Sequence, residues 1–237
     1  MNNKFKDYWI LIKKMIEYNL KIIFSNKFIW FLLGAILFFL GMSVVYVLQT
    51  SVSDIGEFYG VFIFCGVLLI FYPTVFGIQN DQDAKTIEIL FGIPNYRYKV
   101  WLVRIILMFV IAFLIMLAFS YAASLMIIRF NVLQMTFQVM MPVVFIGMMS
   151  FMMSTVIRNG NGTAVVMIII GIIFLFLGDA IYRSPWNIFH NPFNPAYNVT
   201  ETAWAVITLK SRIILACGSI LFLLAALLNL QRREKFM

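Results

Sequence analysis

Few side chains in this sequence could do chemistry, and their settings narrow what chemistry is open to them. The one histidine, His190, stands in "SPWNIFHNPFNPAY" with no neighbouring Asp or Glu to orient its ring, so it lacks the partner that a general base or a zinc ligand needs. Cys65 and Cys217 both lie in apolar runs, where a thiol acts as a small packing residue. "NGNGT" at 159–163 has the glycines of a phosphate loop but not the lysine that reaches the phosphates. No H-E-x-x-H zinc helix and no G-x-S-x-G nucleophile turn occurs. Asp179 is the one carboxylate expected inside the apolar runs, near their outer edge beside Arg183, which argues against ion coupling and against a charge-lined channel. These residues predict no catalytic group, no metal and no cofactor on the chain. What remains is a charged insert, "NDQDAKTIEILFGIPNYRYKVWLVR" at 80–104, set between hydrophobic segments.

The elements that must hold this insert are legible from hydropathy. Of 237 residues 63% are hydrophobic and only 12% charged, and a mean hydropathy of +0.95 is far above that of a soluble domain. A helix needs roughly 20 apolar residues to cross the hydrocarbon core. Windows of that kind fall at 28–48, 58–78, 105–128, 135–157, 164–182 and 213–230. The prediction is an all-α integral membrane protein, one transmembrane domain of six helices. The connections at 49–57, 79–104, 129–134, 158–163 and 183–212 leave no room for a soluble domain. Six lysines before residue 28, then Lys85, Arg97, Lys99, Arg104, Arg158 and the tail's Arg232, Arg233 and Lys235, fall on one side. The other side keeps Arg129, Arg183, Lys210 and Arg212, so the positive-inside rule puts both termini, and the insert, in the cytoplasm. The net charge of +8 therefore reports topology, and no basic, aromatic-interleaved domain exists to hold nucleic acid.

The flanking pieces have their own signatures. Residues 5–23 read as an interfacial helix, with Phe5, Trp9, Ile12, Ile16, Leu20 and Ile23 on one face and Lys6, Lys13, Lys14, Glu17 and Lys21 on the other. No small-residue cleavage site follows, so an uncleaved start is expected. Pro73 and Pro142 each remove a backbone donor within a span, predicting kinks. Gly34, Gly41, Gly171 and Gly178 would allow close helix approach. Methionines 135, 140, 141, 148, 149, 152 and 153 make the fourth span soft, as packing or as a surface for apolar cargo. The stretch 185–205 is rich in Pro and Asn, yet Trp186, Ile188, Phe189 and Phe193 are too apolar for a solvated loop, so a re-entrant or surface-lying segment is expected.

Within the insert, Asp81 and Asp83 suit the N-cap and first turn of a short helix at about 83–92. Ala84, Ile87, Leu90 and Phe91 share one face and Lys85 and Glu88 the other, until Gly92 and the position before Pro94 end it. Asn95 can cap the next helix, whose Tyr96, Arg97, Tyr98, Lys99, Trp101 and Arg104 form an interfacial collar. A helix of two to three turns is too short to stand alone in water. Its apolar face needs a groove on a partner, or else the bilayer surface.

The segment "DAKTIEILFGIPNYR" resembles a stretch of the ABC-2 type membrane subunits of ABC transporters, through Asp83, Thr86, Glu88, Leu90, Pro94 and Arg97. Lys85 stands where that family often has glycine. The topology is similar over nearly the whole chain: a connecting interfacial helix, six spans, a coupling helix after the second span and a partly re-entrant segment before the sixth. The resemblance implies a bacterial cell-membrane permease that moves a lipid, peptide antibiotic or drug-like amphiphile. It implies pairing with a second permease copy, or a paralogous one, and with two copies of a cytoplasmic ATPase that carries ATP and Mg. In that setting Ile87, Leu90 and Phe91 would anchor in the ATPase groove. Asp83, Lys85, Glu88 and Arg97 would make polar contacts, and Arg158 and Asn159 a secondary one. The competing reading is a membrane scaffold or sensor whose insert docks a regulatory protein. A neighbouring frame encoding an ATPase with a Walker lysine separates the two.

Overall fold

The computed structural model describes residues 27–48, 55–83, 97–197 and 199–230. These form helices α1 (Phe28–Leu48), α2 (Ile55–Val75), α3 (Gly77–Asp83), α4 (Val103–Met126), α5 (Val132–Ile157), α6 (Gly160–Ala180) and α7 (Glu201–Asn229), with a π-helical segment Arg97–Leu102 leading into α4. Among the described residues there is no strand. Among the described residues six helices are long and apolar enough to cross a membrane, with α2 and α3 counted together as Ile55–Asp83. The interfacial helix expected at 5–23 and nearly all of the coupling helix expected at 83–92 lie outside the described residues.

Helices α2 and α5 form the centre of the bundle, with 61% of each span buried against 17% for α1 and for α6. The outward faces of those two peripheral helices carry Trp30, Leu37, Leu175 and Phe176, all exposed, as lipid-facing surface requires. The main core gathers Phe39 of α1, Phe58, Phe62, Leu69 and Ile70 of α2, Met108 and Met116 of α4, and Met135, Val139 and Val143 of α5. Phe39 stacks on Phe119 with ring centroids 4.7 Å apart and planes within 3°. Thr136 Oγ1 gives its proton to Val132 O at 2.8 Å and accepts from the Ser120 hydroxyl at 3.1 Å, a polar tie between α5 and α4 inside an otherwise apolar seam.

Close helix approach occurs at glycines other than those expected. A Cβ on Gly34, Gly41 or Gly171 would meet nothing within 4 Å, whereas one on Gly66 would sit 2.6 Å from Val143 Cγ2 and one on Gly147 2.8 Å from both Ile70 Cδ1 and Phe109 Cζ. The two prolines also differ in effect. Pro142 lies inside one unbroken helix, α5. Beyond Pro73 the chain bends at Phe76 and resumes as α3. Phe76 N–H to Tyr72 O and Asn80 N–H to Phe76 O carry hydrogen bonding across the bend. Ser154 of α5 donates its hydroxyl to Val75 O at 3.0 Å, satisfying a carbonyl at the end of α2.

The last span begins at Glu201, not near residue 213, so Lys210 and Arg212 are helical residues and not loop residues. Thr200 caps its start by accepting from Ala203 N–H at 3.3 Å, and Glu201 puts a negative charge at the positive end of the dipole. Between α6 and α7 the chain makes successive turns laid over the bundle. Asn187 and Asn191 each accept, through the side chain, the N–H two residues on, at Phe189 and Phe193. Ile188 and Ala196 are buried under this cap, Phe189 and Phe193 pack half-buried on the core, and Trp186 stays exposed.

Candidate functional site

Two polar clusters lie at opposite ends of the bundle. The first is where α3 and the Arg97–Leu102 segment bracket residues 84–96. Asp81 and Arg104 are 5% and 7% exposed, and Arg104 Nη1 donates to Asp81 Oδ2 at 2.7 Å. The guanidinium also lies over the Trp101 ring, 4.7 Å from its centroid. Asp81 is thus no N-cap. It sits past the middle of a helix that starts at Gly77, and its carboxylate is spent on joining α3 to α4 across the insert.

The same helix is tied to α6. Gln79 Oε1 accepts the N–H of Gly160 at 2.5 Å, and a Cβ on Gly160 would push against the Phe76 ring and Gln79 Oε1, so a larger residue here would force both side chains to shift. Arg158 closes α5 in the left-handed conformation at φ 60°, with its N–H on Ser154 O at 3.0 Å. Asn159 caps α6 by accepting from Gly162 N–H at 3.0 Å. "NGNGT" is therefore a capping turn docked on α3.

Of the residues expected to meet an ATPase, Asp83 is the last described residue of α3 and is exposed, with Gln79 Nε2 at 3.5 Å. Arg97 opens the π-helical segment. Lys85, Thr86, Ile87, Glu88, Leu90, Phe91 and Pro94 lie outside the described residues.

The second cluster is at the other end, under the turn-rich cap, and sequence reasoning did not find it. Arg212, 6% exposed, donates through Nε to Gln138 Oε1 at 2.7 Å and through Nη2 to Tyr59 OH at 2.8 Å and His190 O at 3.1 Å. One guanidinium thereby joins α2, α5, α7 and the cap. The signal was present in the spacing: Trp204, Thr208 and Ser211 recur at helical intervals through the expected loop, in register with Leu215 and Ser219 of the expected span, and all but the half-buried Thr208 are buried.

His190 is 1% exposed, with its ring 4.4 Å from that of Trp204. Thr208 commits its hydroxyl proton to Trp204 O at 3.0 Å, so His190 Nε2 must donate to Thr208 Oγ1 at 2.8 Å. That leaves Nδ1 as the unprotonated nitrogen, without a hydrogen-bond partner. A proton placed there would have no acceptor. Burial first, and the Arg212 charge second, hold the His190 pKa down to about 4 from 6.5. Folding thus disfavours protonation: the unfolded chain takes up a proton below about 6.5 while the folded chain does not until about 4. Stability from this residue is full above 6.5 and is lost as pH falls through that window. Thermal melts in a neutral micelle should show a steeper drop between neutral and mildly acidic pH for the unaltered chain than for His190→Gln; parallel curves would contradict this.

Neither cluster pairs a nucleophile with a base. Cys65 is buried and Cys217 exposed, both free, and among the described residues no three His, Cys, Asp or Glu side chains gather. Asp81, together with Glu57 at the start of α2, adds to the carboxylates carried by the apolar helices, and Arg104 occupies Asp81. Compared with the known protein families, with curated proteins and with solved structures, the chain matches none.

Proposed function

We propose that this chain is the membrane-spanning permease subunit of an ATP-driven ABC exporter of ABC-2 type. It sits in the bacterial plasma membrane with both termini cytoplasmic, pairs with a second permease, and takes its energy from two copies of a separate ATPase. The observation that carries the reading is the buried Asp81–Arg104 ion pair at 2.7 Å. It clamps the two flanks of residues 84–96, and Gln79 fastens the same flank to the start of α6. A force applied to the insert is then delivered to α2, α4 and α6 together, because a short buried ion pair yields far less than a solvated loop. Closure of two ATPase subunits on Ile87, Leu90 and Phe91 would displace these helices as a body.

The experiment is co-purification with the ATPase encoded beside it, then ATPase assay in lipid. A Glu88→Ala, Phe91→Ala double variant should lose complex formation, or lower the lipid-coupled ATPase by about tenfold or more, as loss of a buried aromatic anchor does at docking surfaces. Unchanged complex and unchanged coupled hydrolysis would remove the insert from this role.

A further inference from the structure

We infer that the cavity between α5, α7 and the cap is a binding site for an anionic amphiphile, with a phosphate or carboxylate headgroup set against Arg212 and an alkyl chain lying in the apolar groove that continues between α4, α5 and α7. The cavity has a volume of about 790 Å³ and is walled by Gln138, Phe193, Trp204, Thr208 and Arg212 among others, a size typical of small-molecule sites.

Charge selects the headgroup. Arg212 is buried, its acceptors at Gln138, Tyr59 and His190 are all neutral, and Nη1 has no hydrogen-bond partner. Among the described residues no carboxylate pairs with it, and a buried cation without a counter-ion is costly. Glu201, also on the cavity wall, is exposed and lies eleven residues from Arg212 on α7, roughly 16 Å along the axis, too far to neutralise it. An anion in the cavity, set against the part of the Arg212 side chain that lines it, completes the charge balance.

Shape selects the tail. A second cavity of about 560 Å³ is lined by Phe109, Met140, Val144, Met148 and Leu223 and is almost wholly apolar. It shares Phe137, Met141 and Ala216 with the first, so the two form one groove, polar at the Arg212 end. Arg212 and Leu223 are also eleven residues apart, roughly 16 Å along α7, the reach of an extended chain of about a dozen carbons. A free inorganic anion would leave this part empty.

As a statement about cargo the inference rests on the exporter reading; as a statement about binding it does not, and the test needs no ATPase. The full chain in a neutral glycoside micelle is titrated by thermophoresis with dodecyl phosphate, dodecanoate, dodecanol and inorganic phosphate. Both amphiphilic anions should bind about tenfold or more tightly than dodecanol, the size of one charge-assisted contact, and inorganic phosphate should bind more weakly than dodecyl phosphate by a similar factor. Arg212→Gln should abolish the preference for anions and leave dodecanol binding in place. Ala216→Trp, which fills the stretch that the two cavities share, should weaken every dodecyl ligand, dodecanol included. Phosphatidic acid that competes with dodecyl phosphate would mark a bilayer lipid as the source, and its failure to compete a detached amphiphile. Equal affinities for dodecyl phosphate and dodecanol, or an anion preference that survives Arg212→Gln, would overturn the assignment. So would inorganic phosphate binding as tightly as dodecyl phosphate. If Arg212→Gln does not fold, the headgroup series on the unaltered chain decides the matter. A failed ATPase docking experiment would leave these binding results untouched.

Discussion

Asp81→Ala is expected to destabilise the chain by about 3–5 kcal/mol, the largest effect of any single substitution, because it strands a buried guanidinium. Arg104 is 7% exposed, its Nε has no hydrogen-bond partner, and its Nη1 spends its 2.7 Å contact on this carboxylate. The Trp101 ring beneath it offers a weaker attraction that does not replace an ion pair. Reversible unfolding in mixed micelles is the measurement. The double variant Asp81→Leu, Arg104→Met should cost much less than the two single changes summed, since both charges leave together. A loss of under about 1 kcal/mol for Asp81→Ala would mean that the pair is hydrated and carries little. The reading of the insert makes a further demand: the apolar double variant should stay folded yet couple poorly to ATP hydrolysis.

Gly66→Ala is expected to cost about 1–3 kcal/mol, a large effect for one methyl group, because the helices at the centre of the bundle meet there. The new Cβ would lie 2.6 Å from Val143 Cγ2 and 3.4 Å from Cγ1. Val143 is fully buried, and a β-branched side chain on a helix has one favoured rotamer, so it cannot turn aside. The backbones of α2 and α5 must separate instead. Adding Val143→Ala should recover most of the loss, and a double-mutant cycle reads that coupling directly. Independent, additive effects would show that α2 and α5 do not touch at this point. By contrast, Gly34→Ala on α1 should be nearly neutral within this chain, since its Cβ would meet nothing within 4 Å.

These expectations show where local reasoning works and where it fails. The cores of the six spans were readable because about 20 apolar residues in a row leave the backbone no stable state in hydrocarbon except a helix. Asn159 and Thr200 both cap helices, as their residue types favour, but the sequence expectation gives Asn159 a contact role and places Thr200 within the connection at 183–212. The error arose from Lys210 and Arg212, which interrupt the hydropathy of a helix that in fact runs from Glu201 to Asn229. Their charges mimic a loop only if each is assumed to face water. Arg212 instead finds acceptors on three other parts of the chain, at Tyr59, Gln138 and His190, which no window of sequence can contain. Asp81 differs from expectation for the same reason: a carboxylate suits the N-cap of a helix starting near residue 83, but the helix that holds it starts at Gly77 and its carboxylate pairs with Arg104.

The sequence by itself determined that this is a helical chain with six apolar spans and a charged insert between the second and third, because those properties follow from runs of neighbouring residues and a solvent that tolerates little else. Only the tertiary structure decided which charges are buried and what compensates them. The cost of a buried charge depends on groups brought within about 3 Å by packing, not on groups adjacent in the chain. It made Asp81 and Arg104 a buried ion pair that joins α3 to α4. It set Arg212, with one nitrogen unmatched, in the wall of a groove whose other end is apolar.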